Sequence, residues 1–126
     1  MFNGRLNELC KEANRRAKQK GFWDDRSEAT LALVSAGAST ELVNAVNDAF
    51  ISQKIALTHG ELSEMIESRR MNHFGIGRKD TFEDEIADAL LRLFDLCAEL
   101  KIDIEKQIMW KMAYNQNREH KHGKRF

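Results

Sequence analysis

The 126-residue chain has no proline, only two cysteines and no net charge, because 20 basic residues balance 20 acidic ones. Without proline, no helix is interrupted by a missing backbone donor or a fixed ring. Cys10 and Cys97 are too few for a disulfide framework, so a reducing, cytoplasmic setting is expected. A neutral chain also argues against a stable complex with nucleic acid, since proteins that coat nucleic acid are usually basic.

Long apolar runs are missing as well. No stretch approaches the length that a bilayer requires, and the N-terminus lacks a signal-peptide pattern. We therefore expect a soluble protein with no membrane partner. The length of the chain fits a single domain, 1–126, in which 118–126 forms a basic tail.

Apolar residues recur at the spacing of helical turns, and no segment alternates in the way typical of a strand. Capping residues and glycines predict four helices, over about 3–20, 40–70, 82–100 and 104–118. Residues 27–39 fit either a short helix or a loosely packed insertion. We therefore predict an all-α fold resembling a four-helix bundle.

The second predicted helix has an unusually wide apolar arc. Its central stripe is Ile51, Ile55, Leu62, Met65 and Ile66, and further apolar residues lie on either side of it. A helix with so wide an arc usually contacts more than one neighbour. The arc therefore indicates a subunit interface as well as a core.

Two acidic pairs lie three positions apart on neighbouring predicted helices. The first pair is Glu61 and Glu64, and the second is Glu85 and Asp88. Each pair alone fits a solvated helix surface, because residues at this spacing share a face and are commonly exposed. If the two pairs face each other, four carboxylates repel unless a cation neutralises them. Oxygen ligands alone favour a hard ion such as Mg²⁺ or Mn²⁺.

A polar ridge on the fourth predicted helix consists of Lys111, Asn115 and Arg118. Lysine, arginine and an asparagine amide together can hold and orient phosphate oxygens. An acidic metal cluster opposite such a ridge would suit a polyphosphate, whereas the ridge alone fits ordinary surface salt bridges. Lys54, two turns before Glu61, could reach the same site, although an exposed lysine is the simpler interpretation.

Four motifs follow one another along the chain: E61-L-S-E64, E85-I-A-D88, K111-M-A-Y-N115-Q-N-R118 and H122-G123-K124. In this order the chain resembles the MazG-like branch of the all-α nucleoside triphosphate pyrophosphohydrolases, best over about 50–126. The resemblance implies cleavage between the α and β phosphates of a (deoxy)nucleoside triphosphate, giving a monophosphate and pyrophosphate. It also implies Mg²⁺ as the cofactor and assembly as a homodimer or homotetramer.

Residue roles follow from the resemblance position by position. Glu61, Glu64, Glu85 and Asp88 match the metal-binding and catalytic positions, and Lys111, Asn115 and Arg118 match phosphate-contacting positions. His122 and Lys124 are further candidates for phosphate contact, against the alternative of a flexible tail. Trp23 is a candidate for stacking on the base, against the alternative of a tryptophan that covers the end of the bundle.

Two other functions fit parts of the sequence. A di-iron bundle needs E-x-x-H pairs on two helices, and the sequence has one such pair, Glu119 and His122, in the basic tail. A non-catalytic helical oligomerisation or interaction module would explain the wide apolar arc. It would leave the ordered acidic and basic motifs without a role.

Overall fold

The computed structural model describes residues 3–126, and in this part of the chain it contains five α-helices, one 3₁₀ turn and no strand. The elements are α1 (Arg5–Gln19), α2 (Asp24–Ser35), α3 (Thr40–Arg70), α4 (Phe82–Glu99), α5 (Ile104–Gln116) and the 3₁₀ turn His120–Gly123. The prediction of an all-α fold is confirmed. The segment predicted as either a helix or an insertion is the helix α2.

The helix ends follow local signals in the sequence. Gly21 and Gly37 have φ angles of 85° and 76°, and each follows a helix whose last carbonyls accept bonds from the glycine and the next residue. This is the Schellman arrangement, which favours glycine because it has no Cβ to clash at positive φ. Ser39, Thr81 and Asp103 cap α3, α4 and α5 by accepting a backbone N–H three residues on.

The hairpin of α3 and α4 is the centre of the fold, with α1 packed on α4, α2 on α3 and α5 on α1. The connection between α3 and α4 is held at both ends. The Phe82 N–H donates to the His73 carbonyl over 2.8 Å, and the Ser68 hydroxyl donates to the Asp80 carbonyl over 3.3 Å. These bonds fix the register in which α4 returns along α3.

The single chain buries little apolar surface. Among residues 3–126, the buried apolar side chains are Cys10, Trp23 and Ala89, whereas Ile66 of the predicted apolar arc is 63% exposed. The accessible surface is 9708 Å². A compact monomer of 14.5 kDa would expose about 6,900 Å². The apolar arc therefore faces outwards, and the polar flank of α3 faces α4.

None of the helices formed by residues 3–126 combines the length and the apolar character that crossing a bilayer requires.

Candidate metal centre and adjoining cavity

The α3–α4 hairpin brings together the two acidic pairs of the sequence. Glu61 lies about two and a half turns before the end of α3, and Glu85 and Asp88 lie in the first two turns of α4. Carboxylate oxygens of these three residues lie within 4.8 Å of one another. Glu61 and Glu85 are buried, Asp88 is half-buried, and Glu64 is exposed at the edge of the group. We call Glu61, Glu85 and Asp88 the acidic cluster.

Burial and mutual repulsion raise the pKa of three of these carboxyl groups. For Glu85, burial is the main cause, followed by repulsion from Glu64. Burial also raises the pKa of Asp88, and the charge of Lys79 partly offsets this effect. For Glu64, hydrogen bonding to Glu61 and repulsion from it raise the pKa. Burial and neighbouring carboxylates thus disfavour a full set of negative charges at this site.

One basic side chain enters the acidic cluster. The Nε–H of Arg92 donates to Oε1 of Glu61 over 2.5 Å. Arg92 follows Asp88 by four residues, so the two side chains lie on the same face of α4. Helical spacing gives no indication that the partner of Arg92 is Glu61 of another helix.

A second acidic group lies beside the first and consists of Asp80, Asp84 and Glu85. Here Asp84 is already neutralised, since its carboxylate accepts from Lys79 Nζ over 2.8 Å and from the Asp80 N–H over 2.9 Å. These bonds lower the pKa of Asp84, mainly through Lys79. Asp84 therefore belongs to the start of α4, where its N–H also donates to the capping Thr81 hydroxyl.

A cavity of about 330 Å³ opens next to the acidic cluster, which supplies Glu61 and Asp88 to its wall. Four cations line it: Arg16, Lys20, Lys54 and Arg92. Its apolar lining is formed by Ala13, Ala17, Phe22 and Leu91. The cavity thus combines carboxylates, cations and an apolar surface, which are the groups that a metal-bound phosphate ester with a planar ring would contact. The sequence predicted that Lys54 could reach this site, but it did not predict Arg16 or Lys20.

Trp23 is buried below this cavity, with 2% of its surface exposed. Its indole N–H donates to Asp95 over 2.9 Å, and Lys54 Nζ lies 4.6 Å from the centre of its ring. Lys54 also donates to the carbonyl of Phe22. Trp23 therefore packs against α3 and α4, and its stacking on a base stays a prediction. The exposed aromatic ring in the cavity lining belongs to Phe22.

Asp95 and Glu99, which continue the acidic flank of α4, have structural partners. Asn14 donates to both carboxylates, over 2.8 and 2.9 Å, and Arg26 donates to Glu99 over 2.7 Å. Burial favours a high pKa for Glu99, but hydrogen bonds from Lys18, Asn14 and Arg26 together hold that pKa below its usual value. These two acids fix α1 and α2 against α4, which leaves the acidic cluster as a separate group.

Lys111 and Asn115 of the polar ridge lie on α5, whereas Arg118 follows the helix, which ends at Gln116 and not at about 118 as predicted. Within residues 3–126, none of the three ridge residues lines the cavity. Lys111 and Arg118 are exposed, and both cations lie over the ring of Tyr114, at 4.9 and 5.8 Å. The Oδ1 atom of Asn115 is buried without a hydrogen-bond partner among these residues. His122 and Lys124 are exposed beyond the helix. Phosphate binding by these five residues stays a prediction.

The acidic cluster has the chemistry of a divalent metal site. Oxygen atoms bound to one Mg²⁺ at about 2.1 Å lie roughly 3 to 4 Å apart, and the three carboxylates approach this spacing. They bring no nitrogen or sulfur ligand, which favours a hard cation over zinc or copper. The residues therefore fit a hard divalent ion.

Comparison of the chain with family models, with curated protein sequences and with solved structures found no match.

Proposed function

We propose that the chain is a Mg²⁺-dependent nucleoside triphosphate pyrophosphohydrolase of the MazG-like, all-α type. The observation that carries this proposal is the acidic cluster at the wall of a cavity that four cations line. Carboxylates alone would repel a polyphosphate, and cations alone would bind any anion. Together they suit a phosphate chain that arrives with a divalent ion.

In this proposal Glu61, Glu85 and Asp88 hold the ion, with Glu64 at the edge of the site. A divalent ion there would polarise phosphate oxygens and acidify a bound water. Glu64 is exposed and its pKa is raised, so it can accept the proton of the attacking water. Water oxygen forms the new bond to the α-phosphorus, and the bond to the bridging oxygen breaks. Arg16, Lys20 and Lys54 would offset the charge on the departing pyrophosphate.

The direct test is release of pyrophosphate from a panel of ribo- and deoxyribonucleoside triphosphates, with and without Mg²⁺. We expect a nucleoside monophosphate and pyrophosphate in equal amounts, and no turnover after chelation of the metal. Mn²⁺ is expected to replace Mg²⁺, since both are hard ions with oxygen ligands. Failure to turn over any nucleotide, together with failure to bind Mg²⁺, would contradict the proposal.

A non-catalytic interaction module is the second candidate, and the exposed apolar surface favours it. In the enzyme proposal the same apolar surface is an oligomer interface. A non-catalytic module, by contrast, would give the buried acidic cluster no role. Two free cysteines, Cys10 and Cys97, support a reducing, cytoplasmic location under either function.

We also propose that the chain forms a homodimer or homotetramer. Its surface exceeds that of a compact monomer by about 2,800 Å², and a subunit of a standard complex buries about 800 Å². Leu62 and Ile66, one helical turn apart on α3, are 45% and 63% exposed. The partnerless Oδ1 of Asn115 also supports a further contact at α5, because a buried oxygen without a partner destabilises the isolated chain.

Light scattering tests this assembly. We expect two or four subunits for the native chain and dissociation for Ile66→Glu, because burying a glutamate charge in an apolar interface is unfavourable. Ile76→Glu is the matched control, since Ile76 is 90% exposed in the loop between α3 and α4. A monomeric native chain would contradict the proposal.

A further inference from the structure

Arg92 is the cation that neutralises the acidic cluster in the structure. Its Nε–H donates to Glu61 over 2.5 Å, and Glu61 is buried while the Arg92 side chain is 36% exposed. Two other cations near the site have partners elsewhere. Lys79 pairs with Asp84, and Lys54 donates to the carbonyl of Phe22.

A guanidinium and a divalent ion compete for the same carboxylate. Both are positive, and an ion bound to Glu61 would lie within a few ångströms of the Arg92 guanidinium. Charges of the same sign at that separation repel strongly in a partly buried site. Glu61 therefore cannot keep its present contact with Arg92 and bind a metal ion without a loss of affinity for one of them.

The position of Arg92 offers a second place for its side chain. Arg92 lines the cavity together with Glu61 and Asp88, and its remaining N–H groups have no acceptor among residues 3–126. A planar guanidinium binds phosphate oxygens through two parallel N–H groups. A side chain that leaves Glu61 can thus remain in the cavity and bind the phosphate that the ion brings.

We propose that Arg92 is an internal counter-ion, which occupies Glu61 in the metal-free chain and moves onto a substrate phosphate when Mg²⁺ binds. This inference rests on the proposed function, because it requires Mg²⁺ at the acidic cluster. It assigns two successive partners to one arginine. The exchange keeps Glu61 paired before the metal arrives and adds a phosphate contact afterwards.

The exchange predicts effects of opposite sign when Arg92 is replaced. Arg92→Gln removes the competitor, so Mg²⁺ should bind about tenfold more tightly without nucleotide. The same variant lacks the phosphate contact, so an α,β-methylene triphosphate analogue should bind about tenfold more weakly in the presence of Mg²⁺. If Arg92 only orients Glu61, Arg92→Gln should instead bind Mg²⁺ more weakly than the native chain. A purely structural ion pair would leave nucleotide affinity unchanged once the variant had folded.

Isothermal titration calorimetry measures both affinities on the native chain and the variants. Arg92→Lys retains the charge, so its Mg²⁺ affinity should lie close to the native value. Arg70→Gln removes one positive charge from the exposed end of α3 and should change neither affinity. Circular dichroism of each variant confirms that α-helix content is retained.

A second measurement uses the native protein and does not depend on a variant. In an NMR spectrum of ¹⁵N-arginine-labelled chain, the Nε–H resonance of Arg92 should shift on addition of Mg²⁺ as its bond to Glu61 breaks. It should shift again when the nucleotide analogue is added. A resonance that stays unchanged while the native chain binds Mg²⁺ would overturn the inference.

The outcomes for the two proposals are distinct. If the native chain does not bind Mg²⁺, the proposed function itself fails. If the native chain binds Mg²⁺ but Arg92→Gln binds it equally or more weakly, the exchange at Arg92 is wrong and the proposed function still stands.

Discussion

The acidic cluster and the polar ridge were both predicted from helical spacing, yet the structure treats them differently. The carboxylates of the cluster come from α3 and α4, which form a hairpin, and they lie within 4.8 Å of one another. The ridge lies on α5 and just beyond its end, α5 packs on α1, and Lys111 and Arg118 are exposed. One half of the proposed site is therefore complete in one chain, and the other half is not seen next to it.

The difference shows what spacing along a helix can and cannot predict. Residues three or four positions apart share a face on any helix. What that face contacts depends on how the helix packs. For α3 and α4, the loop contacts at His73 and Asp80 determine locally how the two helices pack. For α5 the fixed contact is at its start, where Glu105 accepts the N–H groups of Gly4 and Leu6.

The largest expected effect is the loss of turnover on neutralising the acidic cluster. Asp88→Asn should lower kcat/KM by more than about 100-fold, because even the outer partners of metal ligands contribute roughly 10- to 100-fold. Helix content and subunit number should stay unchanged. Steady-state assays of pyrophosphate release, with circular dichroism and light scattering, measure these quantities.

Asp84→Asn is the matched control for this prediction. Asp84 belongs to the second acidic group, but it pairs with Lys79 and accepts the Asp80 N–H. We expect this variant to lose a little stability and to keep most of its turnover. Equal losses of activity in the two variants would mean that the two acidic groups form one larger site. Unfolding of Asp88→Asn would mean that the cluster stabilises the fold and that its role in turnover is not tested by this variant alone.

The polar ridge provides the next effect in size. Replacing both Lys111 and Arg118 by alanine should lower kcat/KM by about 10- to 100-fold, as expected for lost hydrogen bonds to charged phosphate. Lys106→Ala, on the exposed side of the same helix, is the control and should have little effect. Native activity in the double variant would mean that the ridge is not part of the site and that the cations of the cavity bind the phosphate.

Mixing two impaired variants shows which subunit the ridge serves. Asp88→Asn retains an intact ridge, and Lys111→Ala/Arg118→Ala retains an intact cluster. Since the ridge does not line the cavity of its own chain, we expect mixed oligomers to recover activity. For a symmetric dimer with free exchange, the recovery would be about a quarter of the native value. No recovery after confirmed exchange would place each ridge with its own cluster.

The sequence predicted the helices closely wherever local chemistry determines the structure. The predicted end of α1 near residue 20 and the predicted starts of α4 and α5 at residues 82 and 104 are confirmed, because glycine and capping residues act on their immediate neighbours. Residues 27–39 were ambiguous because α2 has no buried residue and therefore a weak apolar pattern. Its C-terminal glycine, Gly37, was the better signal.

The proposed site was predicted only in part, for a related reason. The acidic pairs were visible because each forms a motif within a single helix. Arg16 and Lys20 reach the cavity from α1, and no local pattern links them to α4. Partners that are distant in sequence, such as Arg92 with Glu61, depend on how helices pack, and helix periodicity does not determine that packing.

The smallest expected effect is the dependence of stability on pH, and it distinguishes the cluster from the ridge most directly. The pKa of Glu85 is raised, mainly by burial, so the folded chain holds its proton more tightly than the unfolded chain. The metal-free protein should therefore lose stability as the pH rises from the usual carboxylate pKa through the raised value. Mg²⁺ should restore that stability by neutralising the cluster.

Glu85→Gln tests this effect without a contribution from the ridge. In chelator at pH 7.5, the variant should have a higher Tm than the native chain, because glutamine carries no charge to bury. Lowering the pH to 5.5 should narrow the difference, because the native carboxyl then gains its proton. Mg²⁺ should raise the native Tm and leave that of the variant nearly unchanged. Scanning calorimetry of both proteins at the two pH values, with and without Mg²⁺, measures these Tm differences.

A variant less stable than the native chain in chelator would mean that the Glu85 carboxylate stabilises the fold even without a metal. In that case the cluster would owe its assembly to hydrogen bonding within the hairpin, and its shortage of positive charge would no longer support a metal site.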